Sequence, residues 1–183
     1  MAWTVPMTAV SNAVWTSAEW NTYIRDALNE TIPAKAENVS DLFFGNGSNG
    51  VVTRPGVLVD TVSTAETLNT TAYSDLATVG PEVTFQKNSG QPVTIVFGAL
   101  LSAATTNSYA IASVELSGAT TYAASDNHCL QLDGVAGNNP QRLFSCLRIA
   151  GGSLGNGATT VTMKYRSNAS ATFSNRFLAV LPF

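Results

Sequence analysis

The chain has 183 residues, of which 45% are apolar and 11% charged, with a net charge of −3. That apolar content supports a core, and a charged fraction well under the usual ~25% excludes the disordered profile of high charge and few apolar side chains. Nine scattered Lys and Arg are too dispersed to neutralise the phosphates of DNA or RNA, and no apolar run reaches the ~18 residues needed to cross a membrane.

The opening, MAWTVPMTAV, has neither a basic n-region nor a sustained apolar stretch, so no signal peptide is expected. In the reducing compartment this implies, Cys129 and Cys146 are expected as free, buried thiols.

Residues 1–33 read as an arm with one short helix, about 17–30. Thr16 and Glu19 have capping-box spacing, in which each side chain satisfies a backbone donor of the other residue. Trp20, Tyr23, Ile24, Ala27 and Leu28 recur on one helical face, and Pro33 closes the helix. A helix this short is marginal alone, and the arm is below the ~40 residues that usually sustain a core. Trp3, Trp15, Trp20, Tyr23, Ile24 and Leu28 therefore need cover. The cover could be the chain's own β part, a partner, or other copies of the arm. Because Trp and Tyr dominate interface hot spots, a partner or self-association is the favoured reading, with these six residues as the anchor.

Residues 34–56 contain FFGNGSNG and Arg54-Pro55-Gly56. Gly and Asn at this density favour turns, so the segment is expected to be a linker. From residue 57 the period changes to two, and residues 57–183 are expected to form a head domain. Strands are expected at 57–62, 72–78, 82–86, 93–101, 109–117, 129–133, 142–149, 159–166 and 176–183. Val161, Met163 and Tyr165 should point inward. Short strands separated by turn signals predict a mainly β fold, an antiparallel jelly-roll-like β-sandwich preceded by the helical arm.

IVFGALL (95–101) and FLAVLPF (177–183) are apolar on both faces. Such strands are either central in the core or buried by a neighbouring subunit. Charge is uneven as well. Residues 57–133 hold Asp60, Glu66, Asp75, Glu82, Glu115, Asp126 and Asp133 against Lys87, while residues 134–183 hold Arg142, Arg148, Lys164, Arg166 and Arg176 and no acid. Pairing between early and late strands accounts for this. Pairing between subunits accounts for it equally, and the bland alternative is chance in a weakly charged chain.

The sequence marks no chemistry. His128 adjoins Cys129, but neighbours on a strand face opposite ways, so they form no nucleophilic dyad. Asp126 and His128 together fall short of a metal-ligand set. Nucleophile-elbow, zinc-protease and phosphate-loop motifs do not occur. No catalytic residue, metal or cofactor is expected, and an enzyme would require a cleft with paired carboxylates around Asp126 and Asp133.

The stretch MAWTVPMTAVSNAVWTSAEWNTYIRDALN resembles the N-terminal signature of accessory virion proteins of tailed bacteriophages. These open with Met-Ala-Trp, followed by a Thr/Ser-Ala-x-x-Asn helix start and an Ile/Val-Arg-Asp-x-Leu-Asn stretch. The matching residues are Trp3, Thr16, Ala18, Asn21, Ile24, Arg25, Asp26, Leu28 and Asn29. YSDLATVGPEVTF (73–85) and SGATTYAASDN (117–127) resemble the family's β-sandwich more loosely. The resemblance implies a non-enzymatic capsid decoration, head-fibre or minor tail protein. It implies an arm anchored on the major capsid protein or another virion protein, and a homotrimeric jelly-roll head. The expected location is the virion surface, after assembly in the bacterial cytoplasm. The segment after the arm lacks heptads, which favours a compact knob over a stalk. The competing expectation is a tail-associated adhesin whose loops bind host glycan, with Tyr122, Asp126, Asn127, His128, Asn138 and Asn139 as the ligand loop residues.

Overall fold

Period-two segments pair wherever each can bury one face, and the computed structural model shows which pairings win. It describes residues 14, 16–21, 42–45, 51–54, 56–87, 90–134 and 139–182. The chain divides into two compact units, Met1–Gly56 and Val57–Phe183.

In the first unit, helix α1 (Ser17–Trp20) starts on the expected capping box. The Glu19 N–H donates to Thr16 Oγ1 at 3.2 Å, and the Thr16 N–H donates to the Glu19 carboxylate at 2.8 Å. Trp20 is 55% exposed. The rest of the expected helix and stripe, with Trp3, Trp15, Tyr23, Ile24 and Leu28, lies outside the described residues. The segment expected as a linker contains an antiparallel hairpin, β1 (Leu42–Gly45) with β2 (Val51–Arg54), in which Phe43 sits opposite Thr53. Its aromatic and β-branched residues suit strands and flank the Gly/Asn signal. The Arg54 guanidinium lies 4.9 Å from the centre of the Phe44 ring.

The second unit is a two-sheet sandwich built from β3 (Leu58–Val62), β4 (Glu66–Leu68), β5 (Glu82–Lys87), β6 (Val93–Ala103), β7 (Tyr109–Gly118), β8 (Cys129–Asp133), β9 (Gln141–Ile149), β10 (Gly157–Ser167) and β11 (Ala171–Pro182). One sheet has the order β5-β10-β7-β8. The other has the order β3-β11-β6-β9, with β4 also on β11. Every pairing is antiparallel. Strands distant in sequence lie side by side and the chain passes repeatedly between sheets, which is jelly-roll topology. Between the sheets, Ile95, Phe97, Leu101, Phe173 and Leu178 meet Phe85, Val114, Val161, Met163 and Tyr165, all nearly or fully buried. Each such side chain stabilises by roughly 1.5–3 kcal/mol.

Two local expectations differ from the structure. Residues 72–78 form no strand. Only Ser74 bridges Tyr165, through backbone bonds of 2.9 Å in each direction, because the Asp75 side chain reaches Lys164 while Leu76 turns into the core. Glu66–Leu68, too short to show a period, is strand β4. Both thiols are free, but Cys146 is exposed and Cys129 half-buried. Cys146 falls on an outward position of an edge strand, which overturns the expectation of two buried thiols.

Candidate functional site

Strands β6 and β11 occupy the middle of their sheet, so their inner residues belong to the core. Their outer residues are apolar too, and these build the site. Phe177 lies between Thr61 and Gly98, and Gly98 pairs with Phe144. One register step along, Ala179 lies between Val59 and Val96, and Val96 pairs with Cys146. Leu100 and Leu181 extend the face. Val59 is 60% exposed and Phe144 59%.

Gly98 sets the shape of the centre. A Cβ there would lie 2.4 Å from Phe177 Cε1, 2.7 Å from Phe144 Cδ1 and 2.8 Å from the Leu143 carbonyl oxygen. Its absence lets the two rings close over the strand at 5.4 Å between centroids and 55° between planes, a geometry that adds about 0.5–1.5 kcal/mol to area burial. A depression of about 280 Å³ opens beside Phe177, bordered by Thr61 and Arg142. Arg142 and Arg148 are the charges on the outward side of β9, opposite Leu100 and Thr94, so they bracket the apolar centre. At strand spacings of about 4.8 Å and rises of about 3.4 Å per residue, the face covers roughly 300 Å² in projection.

Other charges are largely consumed inside the fold. Lys164 pairs with Asp75 at 2.8 Å and lies 4.0 Å from Glu115. Arg166 pairs with Asp126, and Arg176 with Glu66 at 2.7 Å. Each of these pairs joins an acid from the early strands to a base from the late ones, so the uneven charge reflects the jelly-roll register. Burial alone would raise the Glu66 pKa, but hydrogen bonds from Thr78 and the Arg176 charge hold it below the usual carboxylate value.

The residues expected as a ligand loop separate. Tyr122 and His128 come together, with ring centroids 5.9 Å apart. Asp126 turns away: it accepts from the Tyr73 hydroxyl at 2.7 Å and pairs with Arg166, whose guanidinium lies 5.3 Å from the centres of both the Tyr73 and Tyr109 rings. Its carboxylate is thus engaged by Tyr73 and Arg166 while the side chain stays 55% exposed. Burial, then Asp126, push the Tyr73 hydroxyl well above its ordinary range. Asn127 and Asn139 are exposed, and Asn138 lies outside the described residues. Sequence reasoning missed Arg148, which joins Tyr122 and His128 around a second hollow of about 300 Å³. Outward alternation along β9 was the available signal.

His128 belongs to a 3-10 turn (Asp126–His128), and Cys129 opens β8 with its thiol toward the Asp126 carbonyl oxygen at 3.2 Å. Burial, then Asp126, raise the Cys129 pKa, the opposite of nucleophile activation. Among the described residues no cluster of His, Cys, Asp and Glu could hold a metal ion, and no helix is long and apolar enough to cross a membrane.

The fold and this face define a jelly-roll sandwich with one outwardly apolar sheet. No family model and no curated protein sequence matches the chain. Among solved structures, the VP2 subviral particle of infectious bursal disease virus is similar over 76% of this chain, at 15% identity and a TM-score of 0.46. The matched region spans 36% of the VP2 chain. Eiger TNF from S. frugiperda is similar over 70% of this chain and 93% of its own, at 10% identity and a TM-score of 0.42. The enzymatically active domain of bacteriophage CBA120 tailspike protein 4 is similar over 69% of this chain and 19% of its own, at 15% identity and a TM-score of 0.30. Likenesses of this size concern strand arrangement alone.

Proposed function

We propose that this chain is a structural protein of a tailed-bacteriophage particle, displayed on the capsid exterior as a decoration or head-fibre knob. The arm, through Trp3, Trp15, Trp20, Tyr23, Ile24 and Leu28, anchors it to the major capsid protein or another virion protein. The β-sandwich heads associate as a homotrimer, without cofactor or catalysis.

The observation that carries this reading is the apolar outer face of the β3-β11-β6-β9 sheet, centred on Phe144 and Phe177. Its occupant is a further copy of the same chain. Standard interfaces bury about 800 Å² per partner. The face of roughly 300 Å² would supply the apolar centre of such an interface, and the half-exposed side chains and strand edges around it the remainder. An apolar centre with charge at its rim is interface anatomy, and a closed cyclic arrangement covers it in every copy. The sequence signature of the arm supports the particle. Sedimentation of the full chain should give three copies, and gold labelling of intact virions should decorate heads. Removing residues 1–33 should abolish labelling. Monomers, or unlabelled particles, would sink the reading.

A second reading, a tail-associated adhesin, is favoured by the hollow beside Tyr122 and His128. It predicts gold confined to the tail and glycan-array signal from the isolated protein.

A further inference from the structure

The hollow lies where the free edges of the two sheets meet, beside β8 and β9. Its floor is apolar, formed by Leu147, Ile149 and Leu154. Its rim carries Tyr122, His128, Arg148 and the hydroxyl residues Thr120 and Ser153.

The rim is held in place from several sides. Tyr122 exchanges two backbone hydrogen bonds with Leu116, at 2.9 and 3.0 Å. The buried Ser113 hydroxyl lies 2.8 Å from the His128 carbonyl oxygen and 3.0 Å from that of Ser125, and accepts from the Ser125 N–H at 3.2 Å. One core hydroxyl thus fixes the turn that presents His128. Across the hollow, the Gly155 N–H donates to Thr120 Oγ1 at 2.7 Å. A Cβ on Gly155 would stand 2.3 Å from the Ala119 carbonyl oxygen, so only glycine lets these loops close on each other.

The charge is one-sided. Among the described residues no carboxylate lines the hollow, and Asp126 is drawn away to Tyr73 and Arg166. Arg148 is exposed and, among the described residues, has no ion-pair partner, unlike Lys164, Arg166 and Arg176. An apolar floor, a tilted aromatic pair, hydroxyls and one guanidinium suit a small ring with an apolar C–H face, hydroxyl groups and one carboxylate. A volume of about 300 Å³ is at the lower end for ligand sites and suits a single ring. The guanidinium fork matches a carboxylate in two hydrogen bonds.

We propose that this hollow binds a sugar residue bearing a carboxylate, held by Arg148 and packed on Tyr122 and His128. The proposal gives the adhesin reading a ligand class but stands on the hollow's own geometry. Arg148 also flanks the outer sheet face, so the oligomeric state is measured beside binding.

The test is titration of the full-length chain, followed by NMR, with glucuronic acid and N-acetylneuraminic acid. Glucose serves as the neutral control, and a glucuronic-acid-containing oligosaccharide as a second arm. The acidic sugars should bind, glucose at least about tenfold more weakly, with Arg148→Gln removing that preference as the loss of a charge-assisted hydrogen bond does. Thr121→Trp, which fills the mouth from an exposed position, should abolish binding with the melting temperature unchanged. Binding of the oligosaccharide alone would support a site for an internal unit of a polysaccharide. Three results would overturn the proposal: no binding in either arm, equal binding of glucose, or acidic-sugar binding indifferent to both substitutions. Sedimentation of the same samples reports the oligomer separately, so failure here is distinguishable from failure of self-association.

Discussion

The Arg176 guanidinium, wholly buried, donates to the Glu66 carboxylate at 2.7 Å and lies 5.5 Å from the centre of the Tyr165 ring. It also donates to the carbonyl oxygens of Thr78 and Gly80, each at 3.2 Å, and the Tyr165 hydroxyl donates to the same Gly80 oxygen at 2.9 Å. One residue on the last strand therefore holds the whole connection from β4 to β5. Removing one partner of a buried pair leaves an uncompensated charge, at a cost of about 3–5 kcal/mol. Arg176→Ala should lose that much in urea denaturation of the full chain, and a loss under about 1 kcal/mol would show that the pair is dispensable.

The same pair sets an acid limb. Glu66 is held below the ordinary carboxylate range in the fold. Its contribution to stability is therefore fully present above the unfolded value and is lost as pH falls through the lower folded one. Stability should fall below about pH 4.5, and Glu66→Gln should start less stable but flatten that fall. Parallel pH profiles for the two proteins would contradict the assignment.

Phe144 is largely exposed in a single chain but pairs with the Phe177 ring, so Phe144→Asp should cost an isolated head about 1–2 kcal/mol. It should nevertheless dissociate the trimer, because a charge would enter an apolar interface. Cys146 reports on the same face, since it lies two residues along β9 and opposite Val96. In the wild type its reaction with a thiol reagent should be slow at high protein concentration and quicken on dilution, and in Phe144→Asp it should be fast throughout. Equal rates in all samples would place the interface elsewhere.

Gly98→Val tests the centre of the face from beneath. The added atoms would collide with both phenyl rings and with the Leu143 carbonyl oxygen. Overpacking of this kind costs about 1–3 kcal/mol, measured by thermal melting, and the displaced rings should weaken association further.

Much of the sandwich could be read from residue period alone. Val161, Met163 and Tyr165 alternate cleanly and are fully buried, and β8 has its expected ends. Residues 72–78 differ because their conformation follows side-chain bonds, Asp75 to Lys164 above all, that no local window contains. The hairpin at 42–54 was hidden because its turn signal is stronger than its four-residue strands. The pairing of Asp126 with Arg166, forty residues on, has no local signal in the sequence. The outer face was half legible: two doubly apolar strands stood out, but their alignment with Phe144 depends on register across β9. Alternation along β9 puts Arg148 on the outward side, but its meeting with Tyr122 and His128 depends on the packing of the sheets.

Strand β11 borders β3, β4 and β6 at once, and it follows all of them in the sequence. Lys164, Arg166 and Arg176 likewise follow Glu66, Asp75, Glu115 and Asp126. During translation the acidic half of the head leaves the ribosome first, with Lys87 as its one base and with β6 lacking a neighbour on either edge. Non-local pairings of this kind form late and slowly, and unpaired apolar strand edges invite aggregation in the interval. The excess of carboxylates on the emerging half acts against that by mutual repulsion. The arrival of residues 164–176 supplies both the partners of those carboxylates and the strand that closes the sheet.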